Sequence, residues 1–455
     1  MEAPIRMSEP GYSEDRRQIL HMAMAAFALL LRVLSWEEAL ACALAALAFN
    51  LGLLPRLGGR RLYRPADRLR GYPPGIVIYP LSVALLILIF RHRLDIVAGA
   101  WGVLAFGDGM ATIVGRRSGG RRLPWNPGKT AAGLTAFIVC GAAGGAALAT
   151  WARPGVAPVP SILYTAGAPV IAAVLAGFVE TIPIRLDDNL SVPAAAAAGL
   201  WALSLITPDA AAAAAPRMLA ALGPAVAINA LVGWAGWKAR TVSLSGASAG
   251  AVIGIVVYTC GGPGAWLMLF ATFAFAAVAS RLGLQRKVLL GIAEERGGRR
   301  GPGNAIANCG VATGAAVVAA LGPHVVLAQL VLVSAFAAAG SDTVASEVGK
   351  AWGRRTVLIT RLTRVKPGTS GAMSLEGTAA GLVSAFALAA VGVLVSLTAW
   401  AHVWIVVVAA TAGALVESVL GATLERSGVL DNDTLNFINT AVAGAVALVL
   451  VLAPI

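Results

Sequence analysis

The sequence predicts an all-α membrane protein that crosses the bilayer many times. Hydrophobic residues make up 58% of its 455 residues, and charged residues make up only 13%. Long apolar runs recur throughout the chain, and runs of this length are typical of helices that span hydrocarbon. An aspartate-led motif occurs twice inside apolar sequence, which predicts two related helical units. Together these features exclude a soluble globular protein.

Fifteen apolar segments are candidate membrane spans, judged by the length that a helix needs to cross hydrocarbon. Several are short, and the segment 194–206 is expected to be re-entrant or wrongly bounded. The polar start leads into apolar sequence that continues, so we expect the first span to be retained rather than cleaved as a signal peptide. The candidate spans are 18–33, 39–54, 75–91, 96–115, 130–150, 160–181, 194–206, 217–235, 243–260, 263–280, 306–320, 323–340, 375–395, 398–420 and 436–453.

The net charge of +13 is concentrated in alternate loops. If the N-terminus is inside, only Arg32, Arg91, Arg93, Arg153 and Arg217 of the 35 Lys and Arg residues lie on the opposite face. Such a bias is typical of the cytoplasmic side of a membrane protein and explains the charge without nucleic-acid binding. We therefore expect an integral protein of a bacterial inner membrane, with its N-terminus and both acidic motifs at the cytoplasmic face.

The repeated motif divides the chain into two parts. Its copies read Asp108-Gly-Met-Ala-Thr-Ile-Val-Gly115 and Asp342-Thr-Val-Ala-Ser-Glu-Val-Gly349. A Pro-bracketed, alanine-rich stretch near 207–216 predicts a boundary between a unit at 1–210 and a unit at 215–455. After each copy the same features follow in the same order: a basic loop, a T-A-A-G box (130–133; 378–381), a glutamate (Glu180; Glu417) and an acidic-amide cluster (187–189; 431–433).

Each motif places a carboxylate and a hydroxyl on one helix face. Asp108 lies one turn before Thr112, and Asp342 lies one turn before Ser346. Such a pair can hold a divalent cation, directly or through water. A carboxylate at hydrocarbon depth costs about 2.5 to 3.5 kcal/mol on insertion scales, which favours a function for both aspartates. The alternative for the small residues beside them is an ordinary helix-packing seam.

The first unit has a further basic element and a further acidic element. Gly128, Lys129 and Thr130 precede a predicted helix, where free N–H groups attract anions, although the spacing is not that of a Walker A loop. The cluster Asp187-Asp188-Asn189 offers oxygen ligands that suit Mg²⁺. A solvated turn is the alternative for this cluster.

The second unit combines cations with a Gly/Ser/Thr loop, which favours an anionic substrate. Glu347, five residues after Asp342, is expected to point away from the face of that aspartate. Asp433, Asn436 and Asn439 follow a helical spacing, and asparagines inside membrane helices usually bond to another helix or to a ligand. The candidate phosphate-binding residues of this unit are Lys350, Arg364, Lys366, Thr369 and Ser370.

Several motifs of the first unit resemble one enzyme family. They are Arg17-Gln-Ile-Leu-His21, the F-G-D-G-x-A-x-x-x-G run at 106–115, Gly128-Lys-Thr130, and Glu180 with the run 187–193. The unit resembles the phytol kinase and dolichol kinase family. This resemblance implies a polytopic enzyme that phosphorylates long-chain prenols with CTP. The acidic residue usual in that family is Ala132 here.

Motifs of the second unit are similar to another family. They are Ala307-Asn308, the run 341–350, Gly368-Thr-Ser-Gly371, Leu375-Glu376-Gly-Thr378 and the run 432–439. These are similar to the membrane family that contains plant phytyl-phosphate kinase. The resemblance implies a second phosphorylation and adds Asn308 and Glu376 to the candidate site.

The leading hypothesis is a bifunctional prenol-salvage kinase, as in tocopherol or quinone salvage. The first unit would convert a phytol-like or geranylgeraniol-like prenol to its monophosphate, and the second would make the diphosphate, with CTP and Mg²⁺. The alternatives are a lipid cytidylyltransferase and a duplicated membrane transporter. Chain length, CTP against ATP, and oligomeric state stay open. The expected catalytic residues are Asp108, Lys129, Asp187, Asp188, Asp342, Glu376 and Asp433, with Mg²⁺ held by Asp108, Asp187, Asp188, Asp342 and Asp433.

Overall fold

A computed structural model describes residues 13–57, 73–292 and 300–453, and most of these residues are helical. The fold is all-α and polytopic, which confirms the predicted fold class. It divides into two compact units, residues 1–204 and 205–455. Most of the loop between the spans expected at 39–54 and 75–91 lies outside the described residues.

The first unit consists of eight described helices and one small hairpin. Helix α1 continues as a 3₁₀ helix at Met24–Arg32, and a π-helical turn at Val103–Asp108 joins α4 to α5. The elements are α1 (Glu14–Ala23), α2 (Trp36–Gly52), α3 (Pro74–Ile89), α4 (Leu94–Gly102), α5 (Gly109–Ser118), β1 (Arg122–Leu123), β2 (Asn126–Thr130), α6 (Ala131–Ala152), α7 (Ile162–Glu180) and α8 (Asp188–Ser204).

The second unit consists of eight described helices and a three-stranded antiparallel sheet of order β4-β3-β5. A π-helical turn at Gly421–Glu425 follows α15. The elements are α9 (Pro208–Lys238), α10 (Leu244–Arg281), α11 (Leu284–Leu289), α12 (Pro302–Leu321), α13 (Val325–Trp352), β3 (Thr356–Leu358), β4 (Thr363–Arg364), β5 (Ala372–Ser374), α14 (Leu375–Leu394), α15 (Val403–Leu420) and α16 (Asn432–Leu452).

Ten helical segments of the described chain are long and apolar enough to cross a membrane, against fifteen predicted. The segments expected at 39–54 and 194–206 form helices of only 17 residues. The segment expected at 18–33 is part α-helix and part 3₁₀ helix. The spans expected at 243–260 and 263–280 are two helices joined at Gly262, where φ is +77°, a conformation that glycine adopts without a Cβ clash.

The two units share one packing arrangement around the aspartate motif. In the first, a Cβ on Gly115 would lie 3.1 Å from the Oγ1 of Thr130, and a Cβ on Gly133 would lie 3.1 Å from the carbonyl of Ala111. In the second, the same partners recur: Gly349 meets the Oγ of Ser374, and Gly377 meets the carbonyl of Ala345.

This arrangement corrects the predicted repeat of T-A-A-G boxes. Thr130 and Ser374 each cap the next helix, and each accepts an N–H three residues on at 3.1 Å, from Gly133 and Gly377. The box at 130–133 therefore corresponds to Ser374-Leu-Glu-Gly377 and not to 378–381. A hydroxyl cap followed by a tightly packed glycine is the shared feature, and the intervening alanines are not.

Candidate active sites

Three carboxylates of the first unit converge. Asp108, Glu180 and Asp188 each offer an oxygen, and these oxygens all lie within 4.8 Å of one another. Asp108 ends the π-helical turn, Glu180 is the last residue of α7, and Asp188 is the first residue of α8. Carboxylate oxygens at this spacing fit a hard divalent cation such as Mg²⁺.

The N-terminal helix supplies a histidine to the same cluster. The Nε2 atom of His21 lies 3.6 Å from the Oδ2 atom of Asp108. The imidazole packs edge-on against Tyr79, with ring centroids 4.8 Å apart, and the hydroxyl of Tyr79 accepts a hydrogen bond from Trp101 at 2.7 Å. Aromatic packing therefore holds the imidazole of His21 beside Asp108.

A lysine lies against the acidic cluster from the hairpin. Lys129, on β2, forms an ion pair with Glu180, and its Nζ atom lies 3.7 Å from Asp188. Burial opposes the charged form of this amine, but the two carboxylates outweigh burial and raise the pKa of Lys129 above its ordinary value. Lys129 is therefore held as a cation beside the carboxylates.

The carboxyl of Asp188 has a pKa well above the ordinary value of an aspartate. Burial raises the pKa of Asp188 to about 7, and the neighbouring carboxylates of Asp108 and Glu180 act in the same direction, while Lys129 opposes them. Although 42% of the side chain is accessible, the carboxyl lies among like charges. A carboxyl that titrates near neutrality suits proton transfer.

Other predicted residues of the first unit have local structural roles. The Oδ1 atom of Asp187 accepts hydrogen bonds from the backbone N–H and the amide of Asn189, at 3.0 and 2.8 Å, so Asp187 stabilises the start of α8. Glu180, rather than Asp187, joins Asp108 and Asp188. The N–H of Gly128 donates to Asn126 at 2.9 Å, and Thr112 is half-buried one turn after Asp108.

The second unit contains a polar cavity of about 300 Å³ at the corresponding place. Glu417, in the last turn of α15, also lines this cavity and was not among the predicted site residues. Ser370 also donates a hydrogen bond to Glu425 in the π-helical turn. The predicted residues that line this cavity are Asp342, Ser346, Lys350, Thr369 and Ser370.

A buried ion-pair network lies behind this cavity. Glu347 is 2% exposed and pairs with Lys287, which is 1% exposed and comes from the short helix α11. The same carboxylate accepts a hydrogen bond from Lys350 at 2.9 Å. Glu347 does turn away from the face of Asp342, as expected, and its role is to hold a cavity lysine.

The first two residues of α16 have different surroundings. Asn432 lines the cavity of Asp342, whereas the carboxylate of Asp433 lies against Gly303 at the start of α12. In the first unit, Asn189 approaches Gly75 at the start of α3 in the same way, with a Cβ there 3.1 Å from its Nδ2 atom. Asp433 thus corresponds to Asn189. Asp433 was predicted to hold Mg²⁺ together with Asp342, but it does not line the cavity of Asp342, whereas Glu417 does.

These correspondences align the two acidic clusters residue by residue. Asp187 and Asp431 are the residues that cap α8 and α16, so the next residues, Asp188 and Asn432, are equivalent. The first unit therefore has a third carboxylate where the second has an amide. Within the described chain, only the first unit brings three carboxylates within metal-binding distance.

The remaining predicted residues of the second unit are scattered. An oxygen of Glu376 accepts the N–H of Arg354 at 3.4 Å, and its other oxygen is buried. Asn308 donates to the carbonyl of Asn304 at 2.9 Å. Asn436 and Asn439 are buried between helices, as expected for membrane asparagines, and Arg364 and Lys366 are exposed outside the cavity lining.

The predicted site did not include Glu180, Glu417 or His21, although each lies in a motif that the sequence shows. Both glutamates end an apolar run in the same position of the repeat, and that regularity was the available signal. Lys287 gave no such signal, because a lysine in a basic loop is explained by membrane topology.

Comparison with known proteins shows a family match within the second unit. The model of the integral membrane protein family DUF92 matches residues 227–444. The uncharacterized membrane protein sll0875 of Synechocystis is 39% identical over 200 residues, which are 43% of this chain and 78% of that protein. Protein VTE6 of Arabidopsis thaliana is 36% identical over 219 residues, which are 46% of this chain and 65% of that protein.

Enzymes also occur among the relatives. A probable phytol kinase 3 of Glycine max is 32% identical over 121 residues, which are 26% of this chain and 38% of that protein. No solved structure matches the chain. The similarity to sll0875 extends over more than two thirds of that protein. The chain therefore belongs to the DUF92 family of integral membrane proteins.

Proposed function

We propose that the protein is a bifunctional kinase of long-chain prenols, which makes the monophosphate in the first unit and the diphosphate in the second. The observation that carries this proposal is the cluster of Asp108, Glu180 and Asp188 with Lys129 at its edge. Phosphoryl transfer requires positioned carboxylates for a metal and a cation for the phosphates, and little else. The similarity to a probable phytol kinase supports a prenol as acceptor.

In the first reaction, the prenol hydroxyl oxygen attacks the terminal phosphorus of CTP. The bond from this phosphorus to the bridging oxygen breaks, and CDP leaves with that bonding pair. Asp188 accepts the hydroxyl proton, for which its pKa of about 7 is well matched. Lys129 neutralises charge on the phosphates. Asp108 and Glu180 would hold Mg²⁺, which would neutralise negative charge on the phosphate oxygens and so make the attack of the nucleophile easier.

In the second reaction, an ionised phosphate oxygen of the prenyl monophosphate attacks the terminal phosphorus of CTP, and CDP leaves again. This nucleophile has no proton to lose, because a phosphate monoester is already ionised near neutral pH. The presence of Asn432 at the position of Asp188 supports this division of labour. Asp342 and Glu417 would hold Mg²⁺, and Lys350, held by Glu347, would contact the phosphates.

The location of the first cluster favours a kinase over a transporter. Glu180 ends a membrane-spanning helix, and Lys129 and Asp188 lie outside the spans. Transporters usually bind their substrates near the middle of the bilayer. Asp108 lies within the span Leu94–Ser118, and the other three groups lie at or beyond the ends of spans. A site of this kind, beside a basic loop, suits a water-soluble nucleotide and a lipid whose head lies at the membrane surface.

The decisive experiment follows labelled phosphate in nanodiscs that contain the purified protein, Mg²⁺ and geranylgeraniol. With CTP labelled at the γ-phosphate, we expect labelled lipid monophosphate and diphosphate. Asp108→Asn should abolish monophosphate formation, and Asp342→Asn should let monophosphate accumulate. The matched control is Asp209→Asn, an exposed aspartate far from both clusters in sequence.

Label position separates the alternatives. If only CTP labelled at the α-phosphate transfers its label to lipid, the protein is a cytidylyltransferase. Full phosphorylation in both Asp108→Asn and Asp342→Asn would show that these aspartates do not act in the reaction.

A further inference from the structure

The second unit contains another cavity, of about 140 Å³, with an almost wholly apolar wall. Helices α9, α10 and α12 form most of this wall, and Phe270 and Phe273 contribute aromatic surface. Three of its polar lining residues, Arg300, Asn304 and Asn308, lie just before or in the first part of α12, and this part of the cavity is called its polar end. A cavity with one polar end and an apolar body has the shape of a site for an amphiphile.

The polar end adjoins the candidate active site. Gly303, beside Asn304, contacts the carboxylate of Asp433. The residue before it, Asn432, lines the cavity of Asp342. On the other side, Ala339 lines the apolar cavity and lies one helical turn before Asp342. The first residues of α16 and one turn of α13 therefore separate the two cavities.

The far end of the apolar cavity is closed by a satisfied polar contact. The indole of Trp266 donates a hydrogen bond to Asn229 at 3.0 Å, and the amide of Asn229 donates to the carbonyl of Ala225 at 2.8 Å. Trp266 also stacks on Phe270, with ring centroids 5.5 Å apart. This end offers an apolar surface to a guest, because its polar atoms are already bonded to each other.

We infer that this cavity binds the part of a prenyl chain that adjoins the phosphate of a prenyl monophosphate. A cavity of similar volume holds a benzene ring, so this one takes one or two isoprene units rather than a whole chain. The cation at the polar end, Arg300, complements a phosphate and would repel no part of the substrate. The inference rests on the function proposed for the second unit and names the position of its lipid.

Gly250 gives a direct way to fill this cavity. It lines the wall between the polar end and Trp266, and a Cβ built there meets nothing within 4 Å. Gly250→Leu therefore extends into the cavity without a backbone clash, whereas Gly250→Ala leaves most of the space open. Gly314 also has nothing within 4 Å and lines neither cavity, so Gly314→Leu is the matched control.

The test is photolabelling in nanodiscs with geranylgeranyl monophosphate that carries a diazirine in its second isoprene unit. We expect labelled peptides from 244–281 and 302–321, and competition by untagged geranylgeranyl monophosphate. Gly250→Leu should raise the concentration for half-maximal labelling about tenfold. Gly250→Ala and Gly314→Leu should leave it near the wild-type value.

A diazirine-tagged phosphatidic acid separates a prenyl site from a general lipid site. Equal labelling of these peptides by phosphatidic acid would overturn the inference, and so would labelling confined to lipid-facing residues. Labelling does not require catalysis. Wild-type protein that makes diphosphate without labelling the cavity contradicts only this inference, and labelling without diphosphate formation contradicts only the proposed second reaction.

Discussion

Asn432 in the second unit occupies the position that Asp188 occupies in the first. Each directly follows the aspartate that caps a helix, α8 or α16, and each lies in the same cluster or cavity as the aspartate of its own motif. The two residues have nearly the same shape and differ in charge and in the capacity to accept a proton. This single difference is the clearest chemical distinction between the two sites.

Exchange of this residue should separate the two reactions. Asp188→Asn removes the proton acceptor, so we expect formation of monophosphate from geranylgeraniol to fall by about 10² to 10⁴ in kcat. Formation of diphosphate from supplied monophosphate should be unchanged. Asn432→Asp adds a negative charge beside an anionic substrate and should raise the KM for the monophosphate. Equal losses of both reactions in Asp188→Asn would contradict the assignment.

The two reactions should differ in pH dependence. The pKa of Asp188 is raised to about 7, so its carboxyl is protonated below this pH and becomes a base above it. We expect kcat/KM for the prenol to rise with pH through an inflection near 7. For the monophosphate, the inflection should lie near 6, where the second ionisation of a phosphate monoester occurs. The prenol profile should keep its inflection in Asp188→Glu, and a flat wild-type profile between pH 6 and 8 would exclude Asp188 as the base.

Lys129 should be required for the first reaction alone. Its amine pairs with Glu180 and lies 3.7 Å from Asp188, and removal of one such electrostatic contact typically costs about 10² to 10³ in kcat. Lys129→Met should therefore abolish most monophosphate formation, and Lys129→Arg should restore part of it. Lys238→Met, which changes an exposed lysine at the end of α9, is the control. Initial rates at saturating CTP measure the effect, and a change in both reactions would indicate general destabilisation.

Glu347 should matter for stability. Glu347→Gln leaves the buried cation of Lys287 without its counter-ion, which typically costs about 3 to 5 kcal/mol. We expect a lower Tm in detergent, measured by intrinsic fluorescence. The double variant Lys287→Met with Glu347→Leu should recover much of the loss, because an apolar pair leaves no unpaired charge. Exposed Glu37→Gln is the control, and an unchanged Tm in Glu347→Gln would contradict the buried pair.

Much of the first site could be predicted from the sequence. Asp108, Lys129 and Asp188 were expected to meet, and the structure brings them together. Lys129 and Asp188 lie in or beside loops, whereas Asp108 lies within the apolar span Leu94–Ser118. Charged residues at such positions carry a physical signal, namely the cost of burying them in hydrocarbon. The same signal predicts the all-α fold, but it does not give the number of spans, because 17-residue helices and 3₁₀ turns have the same composition as longer ones.

The details that sequence did not reveal depend on packing between distant segments. The pairing of Glu347 with Lys287 joins two residues sixty positions apart. The equivalence of Thr130 with Ser374 was hidden by an identical T-A-A-G string at 378–381, since identity of small residues is common in alanine-rich sequence. The choice of Glu180 over Asp187 follows from a local cap that draws Asp187 to the backbone of Asn189.

The π-helical turn at Val103–Asp108 makes the first site sensitive to chain length. In a π-helical turn, each carbonyl accepts a hydrogen bond from the N–H five residues later, rather than four as in an α-helix. The turn therefore accommodates one extra residue in an otherwise regular helix. Deletion of one residue there would give a continuous α-helix. It would also rotate Asp108 by about 100° about the helix axis, relative to the residues of α4. In this stretch of small apolar residues, substitutions should be tolerated far more readily than insertions or deletions.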